Sequence, residues 1–250
     1  TYYNNLTKNQ IMQVPLAVSS GYTSQWMNAG EISNKGVEVV LNIVPVQTKD
    51  FRWEAIFNWS KNNNKVEKLN DQLKTLQIAS SFVALHATVG RPYGELMGYN
   101  YVYDTDGNKV VASNGVYAKT AQTEGLGSVL PDWLGGVRNS FQYKNFDAGF
   151  LIDVRKGGSF YSITQQYGMY SGTLEETAAN GIRENGLVLD GVQGTVTYNS
   201  DGTYTVSNTR PNDKNVSAFE WGRSYSSGVQ AQNVFKSDYV KLREITAGYT

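Results

Sequence analysis

From Phe51 to Trp59 the chain alternates without a break: Phe51, Trp53, Ala55, Phe57 and Trp59 share one side of an extended strand, and Arg52, Glu54, Ile56 and Asn58 share the other. Successive side chains of a strand point to opposite faces, so this stretch has one apolar face and one largely polar face. Just upstream, Val37, Val39, Leu41 and Ile43 alternate with Glu38, Val40 and Asn42, and Pro45-Val46-Gln47-Thr48-Lys49-Asp50 joins the two runs. They predict an antiparallel hairpin. Residues directly opposed in a hairpin share a face. A three-residue loop at Val46-Gln47-Thr48 therefore sets Ile43 against Phe51, Leu41 against Trp53, Val39 against Ala55 and Val37 against Phe57.

A second hairpin follows the same rule. Val137, Phe141 and Tyr143 precede a tight Lys144-Asn145 turn, and Phe146, Ala148, Phe150, Ile152 and Val154 follow it. Tyr143 then opposes Phe146, Phe141 opposes Ala148 and Val137 opposes Ile152, while Arg138, Ser140, Gln142, Asp147, Asp153 and Arg155 occupy the other face. Between the hairpins lie long polar stretches, roughly Asn62 to Leu130 and Gly157 to Lys236, rich in Gly, Asn, Ser, Thr and Tyr. Connections of such length are rare in compact domains. Short turns at one end of the strands and long loops at the other are the plan of a transmembrane β-barrel, whose strands are apolar outward and polar inward.

The expected fold is therefore all-β, an antiparallel transmembrane β-barrel segment with long extracellular loops. About six barrel-type strands are expected, fewer than the ~8 of the smallest barrels: Thr1 to Val14, Ser33 to Val46, Asp50 to Lys61, Asp132 to Tyr143, Phe146 to Gly157 and Lys236 to Thr250. The loops carry hairpins of their own around Asp106-Gly107 and Asp201-Gly202. The stretch Lys65 to Leu76 is the one helical candidate. No fixed-period repeat is evident.

Composition narrows the chemistry. Lys and Arg together number 22, as do Asp and Glu, so no net field draws the chain to nucleic acid. The absence of cysteine excludes disulfides, thiolate metal sites and cysteine nucleophiles, and the single His86 excludes a multi-histidine metal site. No apolar run reaches the ~18 residues of a transmembrane helix, and Thr1-Tyr2-Tyr3-Asn4-Asn5 does not resemble a signal peptide.

Particular strings go further. Asn28-Ala29-Gly30-Glu31-Ile32-Ser33-Asn34-Lys35-Gly36-Val37-Glu38 resembles a strand of TonB-dependent outer-membrane receptors, in particular the SusC/RagA family of Bacteroidetes. So do Val89-Gly90-Arg91-Pro92-Tyr93-Gly94, the segment Leu130-Pro131-Asp132-Trp133-Leu134-Gly135-Gly136, the strand end Arg155-Lys156-Gly157-Gly158, and Ser237-Asp238-Tyr239-Val240-Lys241-Leu242-Arg243-Glu244-Ile245. The resemblance implies a much larger protein: an N-terminal plug with a TonB-interacting segment, a barrel of about 22 strands, and a SusD-like surface lipoprotein that closes over the barrel as a lid. Residues 1–250 then represent a partial barrel domain in the outer membrane, without the plug or the terminal strands, belonging to an importer of oligosaccharides or peptides. An independent soluble β-sandwich or small barrel that binds carbohydrate is the alternative, and whether the isolated chain folds without detergent discriminates the two.

No catalytic, cofactor or metal residues are expected. Asp104-Thr105-Asp106-Gly107-Asn108 resembles the start of a calcium loop, but the twelfth position, where a bidentate glutamate belongs, is Gly115. His86 lacks a nucleophile elbow nearby. Gly125-Leu126-Gly127-Ser128 lacks the third glycine of a nucleotide site. Loop aromatics are the better candidates, because flat apolar rings grip sugar rings and peptide side chains while neighbouring hydroxyls and amides orient them. The candidate ligand residues are Tyr99, Tyr101, Tyr103, Tyr167, Tyr170, Trp221 and Tyr225. Trp53, Phe57, Trp59, Phe141, Tyr143 and Phe146 are expected at lipid contacts and interfacial girdles.

Overall fold

The alternating runs pair as successive neighbours in one six-stranded antiparallel sheet. Its strands are β1 (Tyr2–Thr7), β2 (Glu31–Gln47), β3 (Phe51–Lys68), β4 (Trp133–Tyr143), β5 (Phe146–Lys156) and β6 (Tyr239–Tyr249). The computed structural model describes residues 1–16, 18–28, 30–70 and 73–250. Strands β1 and β6 form the two edges, so the sheet is an open wall.

The register of the β4–β5 hairpin is the one parity requires: Tyr143 opposes Phe146, Phe141 opposes Ala148 and Val137 opposes Ile152. Lys144 accommodates the two-residue turn with φ +53°. The β2–β3 hairpin keeps its expected faces but not its expected partners. Leu41 opposes Phe57, Val39 opposes Trp59 and Ile43 opposes Ala55. The turn lies beyond Gln47, where Thr48 donates its backbone N–H to the Phe51 carbonyl at 2.8 Å. The ladder is interrupted between Ile43 and Val46. Pro45 has no N–H to give, and the resulting bulge carries Val46 onto the face of Trp53.

Across the wall the apolar side chains fall into rows. Phe51, Tyr143, Phe146 and Tyr249 are cross-strand neighbours at the turn end. Above them come Val46–Trp53–Phe141–Ala148–Ala247, Ile43–Ala55–Asn139–Phe150–Ile245, Leu41–Phe57–Val137–Ile152–Leu242 and Val39–Trp59–Gly135–Val154–Val240. From Phe51 to Trp59 this band runs about 26 Å along the strand. A barrel tilt of ~40° reduces it to roughly 20 Å, close to the height of a lipid-facing band. Among the described residues no second layer covers it: Leu41 is 50% exposed, Phe146 60% and Ile245 71%. A soluble sandwich or small closed barrel would bury one such face against a second layer, so that alternative does not fit.

The opposite face is charged and internally paired. Arg138 bonds Glu244 at 2.7 Å, Arg243 bonds Asp153 at 2.8 Å, and Tyr239 donates its hydroxyl to the same Asp153 oxygen at 3.0 Å. A bulge at Arg243 lets it and Glu244 both reach this side.

Three other expectations are corrected. Thr1 to Val14 is two strands in different sheets, because Asn9 turns the chain at φ +55° and Ile11–Pro15 pairs with Ser24–Asn28 instead of the wall. Lys236 to Thr250 is likewise divided, with Val234–Lys236 pairing Ser159–Tyr161. Lys65 to Leu76 is not a helix among the described residues. The register with β2 holds β3 extended through Lys68, and a new strand begins at Thr75; Asp71 and Gln72 lie outside the described residues. The helices are α1 (Ile163–Ser171), α2 (Ile182–Asn185) and α3 (Ala218–Ser227), all in the second long loop. Ser162 caps α1 by accepting from Gln165 N, and Ser217 caps α3 by accepting from Glu220 N. Both are Ser-x-x-Gln/Glu capping signatures legible in the sequence.

Candidate functional site

Among the described residues the apolar cores lie beyond the turn-end rows of the wall, in the loops and where the far ends of β2 and β3 meet them. Met12, Val14, Ile32, Val66, Leu69, Leu76 and Ala87 form one, beside the sheet Glu124–Ser128, Glu95–Gly98, Ala84–Thr88 and Thr75–Ser80. Val102, Val110 and Ala118 form a second with Val192, Val196, Tyr204 and Val206, and Val111, Leu189 and Val216 a third. Both of these draw residues from the two long loops at once. The expected hairpins are present, with Tyr103 bridged to Lys109 and Tyr198 opposing Tyr204, and Val110–Val111 pairs in parallel with Val192–Tyr198.

Further polar contacts fasten one loop to the other. Tyr198 donates to the Lys119 carbonyl at 2.7 Å, and Tyr117 to the Asp190 carbonyl at 3.0 Å. Gln230 accepts from Tyr99 N at 2.8 Å and donates to the Phe82 carbonyl. Within the second loop, Asn233, fully buried, donates to the Tyr161 hydroxyl and the Tyr225 carbonyl. The loops are thus one folded cap and not two independent excursions.

The candidate aromatics divide among four places in this cap. Tyr101 and Tyr103 pack at the seam, where Tyr101 meets Tyr117 edge-on at 5.2 Å and Tyr103 at 6.1 Å. Trp221 and Tyr225, one turn apart on α3, join that seam with rings 6.0 Å apart. Burial, reinforced by Tyr225, Tyr117 and Tyr103, pushes the Tyr101 phenol well above its ordinary value. Burial likewise pushes Tyr225 up to about 12. The Lys109 ammonium sits 4.0 Å from the centre of the Tyr101 ring, a cation–π contact that occupies its open face. These features make Tyr101, Trp221 and Tyr225 packing residues of the seam.

Tyr99 stands apart beneath Lys119, at 4.5 Å. Tyr167 meets Phe82 edge-on at 5.6 Å but stays exposed. Tyr170 lines a recess of about 370 Å³ with Met169, Gly172, Thr177, Arg183 and Phe219. Arg183 is anchored there through its bond to the Gly172 carbonyl at 2.7 Å, and Phe219 is 69% exposed. The recess exists because α1 and α3 touch closely: a Cβ on Gly222 would lie 2.5 Å from the Met169 carbonyl oxygen. Phe219 and Arg183 were not expected from the sequence; the capping signature at Ser217 to Glu220 is the signal that places Phe219 on a helix.

The Asp104 carboxylate is engaged by its own turn, accepting from Asp106 N, Asn108 N and the Asn108 amide. His86 is half-buried between Gln77 and Glu95, and its Nδ1 has no hydrogen-bond partner. No cluster of three or more metal-ligating side chains occurs among the described residues. None of their helices is long and apolar enough to cross a membrane, which leaves strands untouched.

An uncovered apolar band on one face of an antiparallel wall, ion pairs on the other, tight turns below and a folded cap above define a β-barrel wall. No family model matches the chain. It is 31% identical to TonB-dependent receptor P3 of Formosa agariphila over 188 residues, covering 65% of this chain and 19% of that protein. It is 28% identical to TonB-dependent receptor SusC of Bacteroides thetaiotaomicron over 174 residues, covering 60% of this chain and 16% of that protein. Its fold matches the RagAB peptide transporter with a TM-score of 0.65 at 15% identity, over 99% of this chain and 26% of that one. The chain spans about a fifth of the length of the curated relatives it matches. In sequence the chain is thus similar to TonB-dependent receptors including SusC, and in fold to part of the RagAB transporter, consistent with a fragment of a SusC/RagA-type receptor.

Proposed function

We propose that the chain supplies part of the wall and much of the outer cap of an outer-membrane importer, energised through TonB and working with a SusD-like lid, that takes up oligosaccharides or peptides. Residues 1–250 act as one partial barrel domain. The observation that carries this reading is the apolar band across five strands left uncovered above a row of four aromatic residues, since lipid is the medium in which such a face costs nothing. The charged opposite face then borders the lumen. The cap supplies exposed rings at Tyr103, Tyr167, Tyr170 and Phe219 amid hydroxyls and amides, a surface suited to neutral oligomers with many hydrogen-bonding groups. Capture takes place outside, and passage is gating, with no bond made or broken.

The test is uptake by cells whose complete receptor carries this chain. Labelled oligosaccharides and peptides are supplied with and without TonB. Import of one class that stops when TonB is removed is expected. A receptor found among soluble proteins, or uptake indifferent to TonB, refutes the reading.

A further inference from the structure

Beyond the last apolar row, the face that carries Val39 and Trp59 changes character. The next positions on it are Val37, Lys35 and Ser33 on β2 and Lys61, Asn63 and Lys65 on β3, in the register Val37 to Lys61, Lys35 to Asn63 and Ser33 to Lys65. Lys35 is therefore diagonal to both Lys61 and Lys65, at the roughly 7–8 Å typical of such neighbours. On β1, Asn4 opposes Lys35 and the exposed Tyr2 opposes Val37. One carboxylate shares the patch: Glu67 bonds Lys65 at 2.8 Å and accepts from the Ser33 hydroxyl at 2.7 Å. Lys35 and Lys61 are exposed and in no close ion pair among the described residues, Lys35 acting on Glu67 only through space.

Three ammonium groups against one carboxylate repel one another, and an anion held between them relieves that repulsion. The patch is also continuous with the apolar band, since Lys61 lies two residues past Trp59 on one strand and opposite Val37 on the next. We propose that Lys35, Lys61 and Lys65 seat the phosphate of an anionic lipid headgroup in the leaflet bordering the long loops. The inference rests on the membrane-wall reading above. The acyl chains of such a lipid lie along the rows Val39–Trp59 and Leu41–Phe57 while its phosphate meets the lysines, whose stems cover the boundary. A free anion has only the exposed lysines to hold it, so the two halves of the ligand belong together.

The experiment uses the complete receptor. It is first inserted into phosphatidylcholine vesicles, then purified in detergent and titrated with phosphatidic acid, phosphatidylcholine or inorganic phosphate. Melting temperature and the lipid retained in native mass spectra are read. Phosphatidic acid is expected to raise the melting temperature and to stay bound. The triple variant Lys35→Gln, Lys61→Gln, Lys65→Gln should bind it about a hundredfold more weakly, each lysine supplying a comparable share. The triple Lys→Arg variant should retain binding, which separates loss of charge from loss of fold. Equal retention by wild type and the Gln variant, no retention by wild type, or stabilisation by inorganic phosphate as strong as by the lipid overturns the proposal. A receptor that does not enter phosphatidylcholine vesicles overturns the wall reading beneath it, an outcome visible before any anionic lipid is added.

Discussion

The indole nitrogen of Trp53 donates to the side-chain oxygen of Asn139 at 3.0 Å, on the apolar face of the wall. Asn139 is the one polar side chain in its row, between Ala55 and Phe150, and it is buried. Trp53 stacks on Phe141 at 6.0 Å, and Phe141 meets Phe150 at 6.2 Å, so the pair is enclosed by rings. An indole N–H facing hydrocarbon has no water to turn to, and the asparagine removes that cost.

Replacing Asn139 with Leu should therefore destabilise the complete receptor by about 1–3 kcal/mol, as a donor is left unsatisfied. Trp53→Phe in the same background should remove most of the penalty. A double-mutant cycle in a detergent-refolding titration should give a coupling of about 1 kcal/mol. Strictly additive effects would mean that the bond contributes nothing.

Leu41 and Phe57 oppose each other on the uncovered face, whereas Asn42 and Asn58 lie on the charged one. Arg at Leu41 or Phe57 should cost about 2–4 kcal/mol near the midplane and less toward a rim. Arg at Asn42 or Asn58 should be tolerated. Equal tolerance on both faces in a refolding titration sinks the lipid-face assignment.

How much of this was legible in the sequence depended on which physical rule decided each feature. Parity found the faces of β2 to β5, because a one-residue slip would have turned every aromatic residue to the charged side. It could not find the partners in β2–β3, because a shift of four residues leaves parity unchanged and the bulge at Pro45 absorbs the odd one. Asn139 reads as an interruption of the pattern until Trp53 is placed beside it. The exposed candidates Tyr103, Tyr167 and Tyr170 were indistinguishable in sequence from the packed Tyr101 and Tyr225. That difference arises from contacts between two loops distant along the chain, which no local signal encodes.

The two ends of the wall should face opposite sides of the membrane. Cysteine is absent from the chain, so single cysteines report without background. Ser113→Cys and Ser200→Cys, both exposed in the cap, should react with an impermeant maleimide on intact cells. Gln47→Cys, at the short turn, should react only after the envelope is opened. The reverse pattern overturns the topology.

His86 carries the clearest pH dependence in the cap. Burial lowers its pKa below the ordinary 6.5, and the nearby Glu95, held by Arg91 at 2.5 Å, opposes that shift only in part. Above 6.5 folded and unfolded chains both hold it neutral. As pH falls below that value the unfolded chain takes the proton first, so stability declines until the folded pKa is passed and then levels off. Amide exchange in Ala84–Thr88 should accelerate across this window, once corrected for intrinsic exchange, and His86→Gln should flatten the response. An unchanged slope in that variant assigns the effect to other groups.

The division of the aromatic candidates makes the last prediction. Tyr101 is enclosed by Tyr103, Tyr117 and the Lys109 ammonium, so Tyr101→Ala should loosen the seam and lower the stability of the cap by about 3 kcal/mol, the low end for a buried aromatic truncation. Tyr103, Tyr167 and Tyr170 are 37%, 51% and 53% exposed, and truncating them should cost the fold less than truncating Tyr101, with Tyr103, which packs on Tyr101, costing the most of the three. If these rings grip the transported oligomer, their joint replacement by Ala should weaken capture by roughly a hundredfold, at ~1 kcal/mol for each ring and 1.4 kcal/mol per decade. Neighbouring sites need not add, so the triple variant is the safer measure. The comparison that decides is uptake well below saturation beside cap stability: a triple variant that assembles and imports at the wild-type rate makes these tyrosines structural, and a Tyr101→Ala variant that keeps its cap intact while losing uptake moves the ligand contact to the seam.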